Sequence, residues 1–202
     1  MTGMPAAPAR LAVLLSGSGR TLANLLAWQQ RGDLPADLVG VVSSRGDVQG
    51  VMIARQAGLP VVVVRRRDFP DAPAHNAAIA AWLEPRRPQI IALAGYLCHF
   101  TRPAWFTGPV VNIHPALLPK YGGQGMYGDR VHAAVLAAGE RESGCTVHHV
   151  EAEYDRGPII AQRRVPVLPG DDAHSLAARV FAAECELYPR VLADLAREVT
   201  RP

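Results

Sequence analysis

The sequence lacks the features that mark membrane-spanning, disulfide-rich or strongly charged proteins. None of its apolar runs reaches the ~18 residues that a membrane helix needs. Its three cysteines, Cys98, Cys145 and Cys185, are odd in number and widely spaced, so they predict neither a disulfide framework nor a Cys-x-x-Cys motif and fit a reducing cytoplasm. The net charge is +3, which suits small anionic ligands as readily as nucleic acid. What remains is the composition of an ordinary globular protein, with 49% hydrophobic residues.

Length and composition predict one domain. Residues 1–10 are rich in proline and alanine and have no apolar core of their own, so we expect a loose N-terminal tail and not a signal peptide. Residues 11–202 show no internal repeat and no linker. A chain of this size can bury a substantial core. We therefore predict a single domain over 11–202.

Apolar runs alternate with helical patterns through the first half of the chain. The predicted strands are 11–15, 38–42, 60–64, 90–94 and 110–114. The predicted helices between them include one near 22–26, one over 51–58 that ends at Gly58, and one over 74–83. Continuous apolar strands separated by helices are typical of a parallel sheet with both faces covered.

The second half of the chain shows a different pattern. A glycine-rich loop over 120–130 precedes a predicted helix over 131–138. Two extended segments, 144–150 and 159–167, are joined by a turn too short for a helical crossover, so they should pair as an antiparallel hairpin at the sheet edge. Asp172 begins a long last helix, whose buried apolar stripe is predicted to be Leu176, Val180, Ala183 and Leu187. The prediction is an α/β fold: an open, mostly parallel, twisted sheet with an antiparallel edge hairpin and a long C-terminal helix.

The fifth strand carries the first candidate site. Asn112 and His114 are two residues apart, so on a strand both side chains point to the same face. They lie at the carboxyl end of the strand, the edge where open α/β sheets bind ligands. Asp155, in the hairpin turn, could reach the same edge. An amide, an imidazole and a carboxylate would form an acid/base site with an oxyanion donor; a core histidine capped by a turn aspartate is the alternative.

A glycine loop follows the first strand directly. Residues 16–21 read Ser-Gly-Ser-Gly-Arg-Thr and lead into a helix. A strand, a glycine loop and a helix N-terminus together present backbone N–H groups to a phosphate. The loop lacks the Gly-Lys-Ser/Thr ending of a P-loop and the third glycine of the dinucleotide fingerprint. The loop therefore has two possible interpretations, a phosphate-binding loop and a simple tight turn between strand and helix.

We predict no metal site. Cys145, His148 and His149 are the closest group of candidate ligands, but their side chains diverge along the predicted strand.

Six motifs, in order from about residue 11 to 190, resemble the glycinamide ribonucleotide formyltransferases of purine synthesis. They are Leu-Ser-Gly-Ser-Gly-Arg-Thr-Leu at 15–22, Leu-Ala-Gly-Tyr at 93–96, Asn-Ile-His-Pro-Ala-Leu-Leu-Pro-Lys-Tyr at 112–121, Ser-Gly-Cys-Thr-Val-His at 143–148, Tyr-Asp-Arg-Gly-Pro-Ile-Ile at 154–160 and Glu-Cys-Glu-Leu-Tyr-Pro at 184–189. The resemblance implies a Rossmann-like formyltransferase fold, with residues 11–202 as one catalytic domain. It also implies transfer of a formyl group from 10-formyltetrahydrofolate, as co-substrate, to the primary amine of glycinamide ribonucleotide.

The resemblance assigns roles to individual residues. Asn112, His114 and Asp155 would be catalytic, and Asp155 would raise the pKa of His114 and keep it charged near neutral pH. His148 would support them. The substrate residues would be Gly19, Arg20 and Thr21 at the phosphate, Glu184 at the ribose, and Leu97, Cys98, His99, Phe100, Asn112, Glu151, Ala152, Glu153, Tyr154 and Asp155 at the folate.

The implied partners are small molecules only, with no nucleic acid and no membrane, and the chain would be a monomer or homodimer in the cytoplasm. Related activities remain as alternatives. A formyltetrahydrofolate deformylase usually has an extra N-terminal domain and a histidine in place of Pro115. A methionyl-tRNA formyltransferase has a further C-terminal domain and lacks this glycine loop. A sugar-nucleotide formyltransferase is normally longer. The least favoured reading is a non-catalytic nucleotide-binding module.

Overall fold

The computed structural model describes residues 7–201, which form seven strands and five α-helices. The strands are β1 (Ala9–Leu15), β2 (Ala36–Ser43), β3 (Val61–Val63), β4 (Ile90–Leu93), β5 (Val110–His114), β6 (Glu142–His149) and β7 (Ile159–Pro166). The helices are α1 (Arg20–Gln30), α2 (Gln49–Gln56), α3 (Ala72–Leu83), α4 (Asp129–Ala137) and α5 (Ala173–Val199), with single 3-10 turns at Arg66–Asp68 and Glu84–Arg86. Every strand and helix predicted from the sequence is present.

The described residues divide into two compact units. Unit 1 contains the residues up to Cys98, Arg102–Val110 and the residues from Leu192 onward, and unit 2 contains His99–Thr101 and Val111–Val191. The expectation of one catalytic domain over 11–202 stays a prediction.

Unit 1 is the parallel part of the fold. Its strands lie in the order β3-β2-β1-β4, and each neighbouring pair is parallel. The five residues 11–15 of β1 are all fully buried. Burial of every side chain along a strand means that both faces of the sheet are covered, as the apolar runs predicted.

Unit 2 is the antiparallel part. Its strands lie in the order β5-β6-β7, with β6 antiparallel to both neighbours. The predicted edge hairpin is therefore confirmed. The long last helix begins where predicted, because Asp172 accepts a hydrogen bond from the Ser175 N–H (2.7 Å) while Ser175 Oγ accepts one from the Asp172 N–H (3.0 Å).

Several boundaries and one buried position differ from the prediction. Residues 1–6 of the predicted tail lie outside the described part of the chain, but Ala9 and Arg10 already belong to β1, because Ala9 is fully buried and pairs with Ala36. Helix α4 begins at Asp129, two residues early. On α5, Tyr188 takes the buried position that we expected for the half-exposed Leu187.

The fold class is confirmed: seven strands in a mostly parallel sheet with an antiparallel edge pair, and a long C-terminal helix. Within residues 7–201, no helix is long and apolar enough to cross a membrane.

Candidate active site

The end of β5 brings the predicted polar side chains together. Asn112 pairs directly with His148 on β6, and His114 pairs with Thr146 two residues on. Residues directly opposite each other in a sheet project to the same face, so Asn112, His114 and His148 share one face. The prediction that Asn112 and His114 point to the same face of the strand is thus correct.

Asp155 lies against all three of these side chains. Its Oδ2 atom is 3.5 Å from His114 Nδ1, and its Oδ1 atom is 3.5 Å from Asn112 Nδ2 and 3.4 Å from His148 Nε2. The backbone N–H of Gly123 donates to Oδ2 at 2.9 Å. The turn after β6 can bring Asp155 this close because Gly157 lies against the His149 carbonyl, where a Cβ atom would collide.

Carbonyl partners fix the protons on both histidine rings. His114 Nε2 lies 2.8 Å from the Tyr121 carbonyl oxygen, which can only accept, so Nε2 carries a proton. His148 Nδ1 donates in the same way to the His149 carbonyl at 2.8 Å, and in the neutral ring its Nε2 then accepts from Asn112 Nδ2 at 3.1 Å. His114 Nδ1 is consequently the ring nitrogen that faces Asp155, and it can donate only when the ring is an imidazolium.

The protonation of His114 differs from the prediction. Burial lowers the pKa of His114 below its usual range, although the Asp155 carboxylate and the Tyr121 carbonyl both raise it in part. The expectation that Asp155 keeps His114 charged near neutral pH is therefore wrong in its net direction, because the ring is only 3% exposed and loses its hydration.

Asp155 remains an anion in this site. Burial alone would raise the pKa of its carboxyl group, but the contacts with His148 and His114 and the Gly123 N–H together lower that pKa below its usual range. The site thus holds a carboxylate beside an imidazole that has lost part of its basicity.

The predicted phosphate residues lie in unit 1, at the start of α1. Gly19 is the N-cap residue with φ +72°, and its Cα approaches Gly50 so closely that a Cβ atom would overlap the Gly50 backbone. No side chain caps the helix. Arg20 is exposed and Thr21 half-buried in the first turn, where backbone N–H groups lack helical partners.

The predicted folate residues fall in both units. In unit 2, His99 Nε2 donates to the Ala152 carbonyl at 2.8 Å, and the His99 ring meets Tyr154 edge-on with centroids 5.3 Å apart. Phe100 is 3% exposed and belongs to the core. In unit 1, the Leu97 N–H donates to Ser16 Oγ at 2.9 Å.

The remaining positions are Cys98, Glu151, Glu153 and Glu184. Cys98 is half-buried, and Glu151 and Glu153 are exposed. Glu184, the predicted ribose residue, is half-buried on α5 near Cys145; burial and, second to it, the Glu184 carboxylate raise the pKa of that thiol to about 12.

Sequence reasoning missed two backbone groups and one side chain of this site. The Tyr121 carbonyl and the Gly123 N–H are invisible to residue-type patterns, since every residue has both groups. His132 on α4 is 4% exposed, and the proximity of His114 is among the causes that lower its pKa, after burial. Among residues 7–201, no three His, Cys, Asp or Glu side chains are placed to hold a metal ion.

Comparison with known proteins gives consistent matches. A family model described as formyl transferase matches residues 9–192. The chain is 37% identical over 186 residues to the phosphoribosylglycinamide formyltransferase of Haemophilus influenzae, covering 91% of this chain and 85% of that protein. It is 41% identical over 191 residues, 92% of its length, to the trifunctional purine biosynthetic protein adenosine-3 of Drosophila melanogaster, and it spans only 14% of that longer relative.

A solved structure agrees with the fold. The crystal structure of glycinamide ribonucleotide transformylase 1 from Symbiobacterium toebii superposes with a TM-score of 0.89 at 34% identity, covering 98% of this chain and 92% of that one. The Rossmann-like formyltransferase fold implied by the six motifs is thereby confirmed. From the family match over residues 9–192 and the relative of which it covers 85%, the chain belongs to the formyl transferase family, among the phosphoribosylglycinamide formyltransferases.

Proposed function

We propose that this chain transfers a formyl group from 10-formyltetrahydrofolate to the primary amine of glycinamide ribonucleotide, a step of de novo purine biosynthesis. The observation that carries the proposal is the convergence of the Asn112 amide, the His114 imidazole and the Asp155 carboxylate within 3.5 Å contacts, in a member of the formyl transferase family.

The chemistry begins with the neutral amine. Its lone pair attacks the formyl carbon, and the carbonyl π electrons move to the formyl oxygen. Asn112 Nδ2–H and the Nδ1–H of charged His114 donate hydrogen bonds to this oxyanion. One such preorganised donor is worth about 3 kcal/mol of barrier.

A proton must then move from one nitrogen to another. The attacking nitrogen carries a surplus proton after it bonds to carbon, and the folate nitrogen needs one to leave. Asp155, directly or through a water, accepts the surplus proton from the attacking nitrogen and delivers a proton to the folate nitrogen. The C=O bond then re-forms and the bond from carbon to folate nitrogen breaks. The lowered pKa of Asp155 keeps its carboxyl group ionised, as a group that accepts a proton must be.

The rest of the substrates is held by residues outside this centre. Gly19, Arg20 and Thr21 bind the phosphate through first-turn N–H groups and the Arg20 charge. Glu184 binds the ribose hydroxyls. Residues 97–100 and 151–155 hold the pterin, and the His99–Ala152 hydrogen bond supports this assignment because it joins two of these segments.

The proposal extends to partners and location. The ligands are small molecules, with no nucleic acid, metal or membrane, and the chain acts as a monomer or homodimer in the cytoplasm. Three free cysteines support a reducing compartment.

One assay tests the activity. The protein is incubated with 10-formyltetrahydrofolate, with and without glycinamide ribonucleotide, and folate deformylation is followed. Turnover that requires the amine is expected. Formate release without amine would indicate a hydrolase, and no turnover would indicate a binding module; either overturns the proposal. The Asn112→Ala variant serves as the control for contaminating activity, with kcat lowered roughly a hundredfold.

A further inference from the structure

The loop that follows β5 holds both ionisable groups of the site through its backbone. The Tyr121 carbonyl accepts the His114 Nε2–H bond at 2.8 Å, and the Gly123 N–H donates to Asp155 Oδ2 at 2.9 Å. These two backbone groups are two residues apart. A displacement of the loop at Tyr121 would therefore move the imidazole and the carboxylate relative to each other.

Tyr121 has a backbone conformation that its side chain disfavours. Its φ angle is +57°, in the left-handed region, and that of Asp155 is +56°. Within residues 7–201, only three non-glycine residues have positive φ. Two of them, Tyr121 and Asp155, contact His114. Such a conformation persists only where the surroundings hold it in place.

Glu140 supplies a contact that holds Tyr121. Its Oε1 atom accepts hydrogen bonds from the Tyr121 hydroxyl at 2.9 Å and from Lys120 Nζ at 2.7 Å. Glu140 follows the end of α4, where its N–H donates to the Val135 carbonyl at 3.3 Å. One carboxylate thus ties two consecutive loop residues to the end of a helix.

We propose that Glu140 is a positioning residue for formyl transfer, which acts through Tyr121 and Lys120 to hold the Tyr121 carbonyl where it orients the His114 ring. The chain of contacts runs from Glu140 to the Tyr121 hydroxyl, along the Tyr121 backbone, and from its carbonyl to His114 Nε2. With Nε2 occupied, Nδ1 faces Asp155 and the reacting oxygen. The inference rests on the proposed function for its activity readout only.

Four variants test this chain of contacts. Tyr121→Phe removes the hydroxyl and leaves the backbone carbonyl, and Glu140→Ala removes the acceptor. Glu140→Gln keeps an acceptor oxygen. Glu142→Ala is the matched control, because Glu142 is an exposed glutamate that pairs with Arg164 on the neighbouring strand.

The expected result is a loss in kcat without a loss in substrate binding. Tyr121→Phe and Glu140→Ala should each lower kcat by roughly tenfold to a hundredfold, the cost of misplacing a catalytic group by a fraction of an ångström to 1 Å. KM for both substrates should change little. Glu140→Gln should recover most of the activity, and Glu142→Ala should match the parent.

A double variant tests whether the two residues act as one unit. Tyr121→Phe combined with Glu140→Ala should be no slower than the slower single variant, because both break the same contact. Multiplied losses would overturn the proposal, since they would mean that Glu140 acts by another route.

A measurement that does not depend on turnover separates this inference from the proposed function. The imidazole nitrogens of His114 are followed by NMR across pH; Asp155, His148 and His132, the other titratable groups around the ring, are unchanged in every variant. Tyr121→Phe and Glu140→Ala should shift the Nε2 resonance away from its hydrogen-bonded position and move the His114 titration to lower pH, because the bond to the Tyr121 carbonyl favours the charged ring. Unchanged His114 resonances would overturn the inference, even in a chain that formylates the amine. If the wild-type chain fails the amine-dependent assay, the same shifts still support the inference.

Discussion

At the scale of single residues, opposed effects on His114 explain how the site responds to charge. Burial disfavours the imidazolium, while Asp155 and the Tyr121 carbonyl favour it, and burial is the largest of these effects. A developing oxyanion next to Nδ1 would add a second negative charge in a site that excludes water, where charges interact strongly. The imidazolium is therefore stabilised most when the tetrahedral intermediate is present, as differential binding of a transition state requires.

Replacing Asp155 by asparagine should move the His114 titration to lower pH. The substitution keeps the shape of the side chain but removes the negative charge that raises the pKa of His114. The lowering of that pKa by burial is then less fully offset. The kcat value should also fall by roughly a hundredfold or more, because the proton acceptor is lost. NMR titration of His114 checks the first result, with Glu142→Gln as a control. A His114 pKa that rose in Asp155→Asn would contradict the assigned electrostatics.

Replacing Arg20 by alanine should weaken binding of the phosphorylated amine much more than binding of the folate. A charged hydrogen bond to phosphate at an exposed position contributes on the order of 1.5 kcal/mol, which corresponds to about tenfold in Kd. Isothermal titration with each ligand measures the two effects separately. Arg31→Ala, at the other end of α1 and paired with Asp33, is the matched control. Equal losses for both ligands would contradict the phosphate-site assignment.

The sequence predicted which side chains meet at the end of β5 but not their protonation. The two-residue spacing of Asn112 and His114 and the turn at Asp155 depend on local geometry, which patterns capture well. The net pKa shift of His114 depends on how many atoms surround the ring, and these come from segments distant in sequence. Glu140 was missed for the same reason, since its contact with Tyr121 spans nineteen residues.

At the scale of secondary structure elements, hydrophobic pattern located every strand and helix, and the errors are confined to element ends and to one buried position on α5. Helix α4 begins early because Gly128, with φ +57°, turns the chain into the helix at Asp129, which no apolar residue marks. On α5, the buried stripe passes through Tyr188 and not through Leu187. Tyr188 is fully buried and its hydroxyl donates to the Val111 carbonyl on β5 at 3.1 Å, beside the residue that carries the Asn112 amide.

The Tyr188→Phe variant should lower the free energy of unfolding by about 1 kcal/mol, the typical contribution of one buried hydrogen bond. The ring stays, so the core keeps its volume and the loss reports the link between α5 and β5. Denaturant unfolding measures it. Tyr127→Phe is the control, because Tyr127 is 43% exposed and its hydroxyl contributes little in water. Equal stability of Tyr188→Phe and the parent would show that this bond does not stabilise the helix on the strand.

At the scale of the whole molecule, buried titratable groups make the free energy of unfolding depend on pH. His114 and His132 both have a pKa lowered mainly by burial, and Asp155 has a lowered pKa as well. For the histidines, the unfolded chain binds protons more readily than the folded one, so stability falls as pH drops below the unfolded pKa of about 6.5. For Asp155 the stabilisation is present above its unfolded pKa and is lost only at more acidic pH, as the folded carboxylate is protonated.

His132→Gln should therefore flatten the pH dependence of stability between pH 7 and pH 5. The parent loses at most about 1.4 kcal/mol per pH unit for each such histidine in that window, and glutamine, which does not titrate, removes one of the two contributions. Denaturant unfolding at a series of pH values measures the slope. The exposed His174, replaced in the same way, is the control and should leave the slope of the parent unchanged. A His132→Gln slope equal to that of the parent would mean that the buried ring gains its proton as easily in the folded chain as in the unfolded one, which would contradict desolvation as the dominant effect at this position.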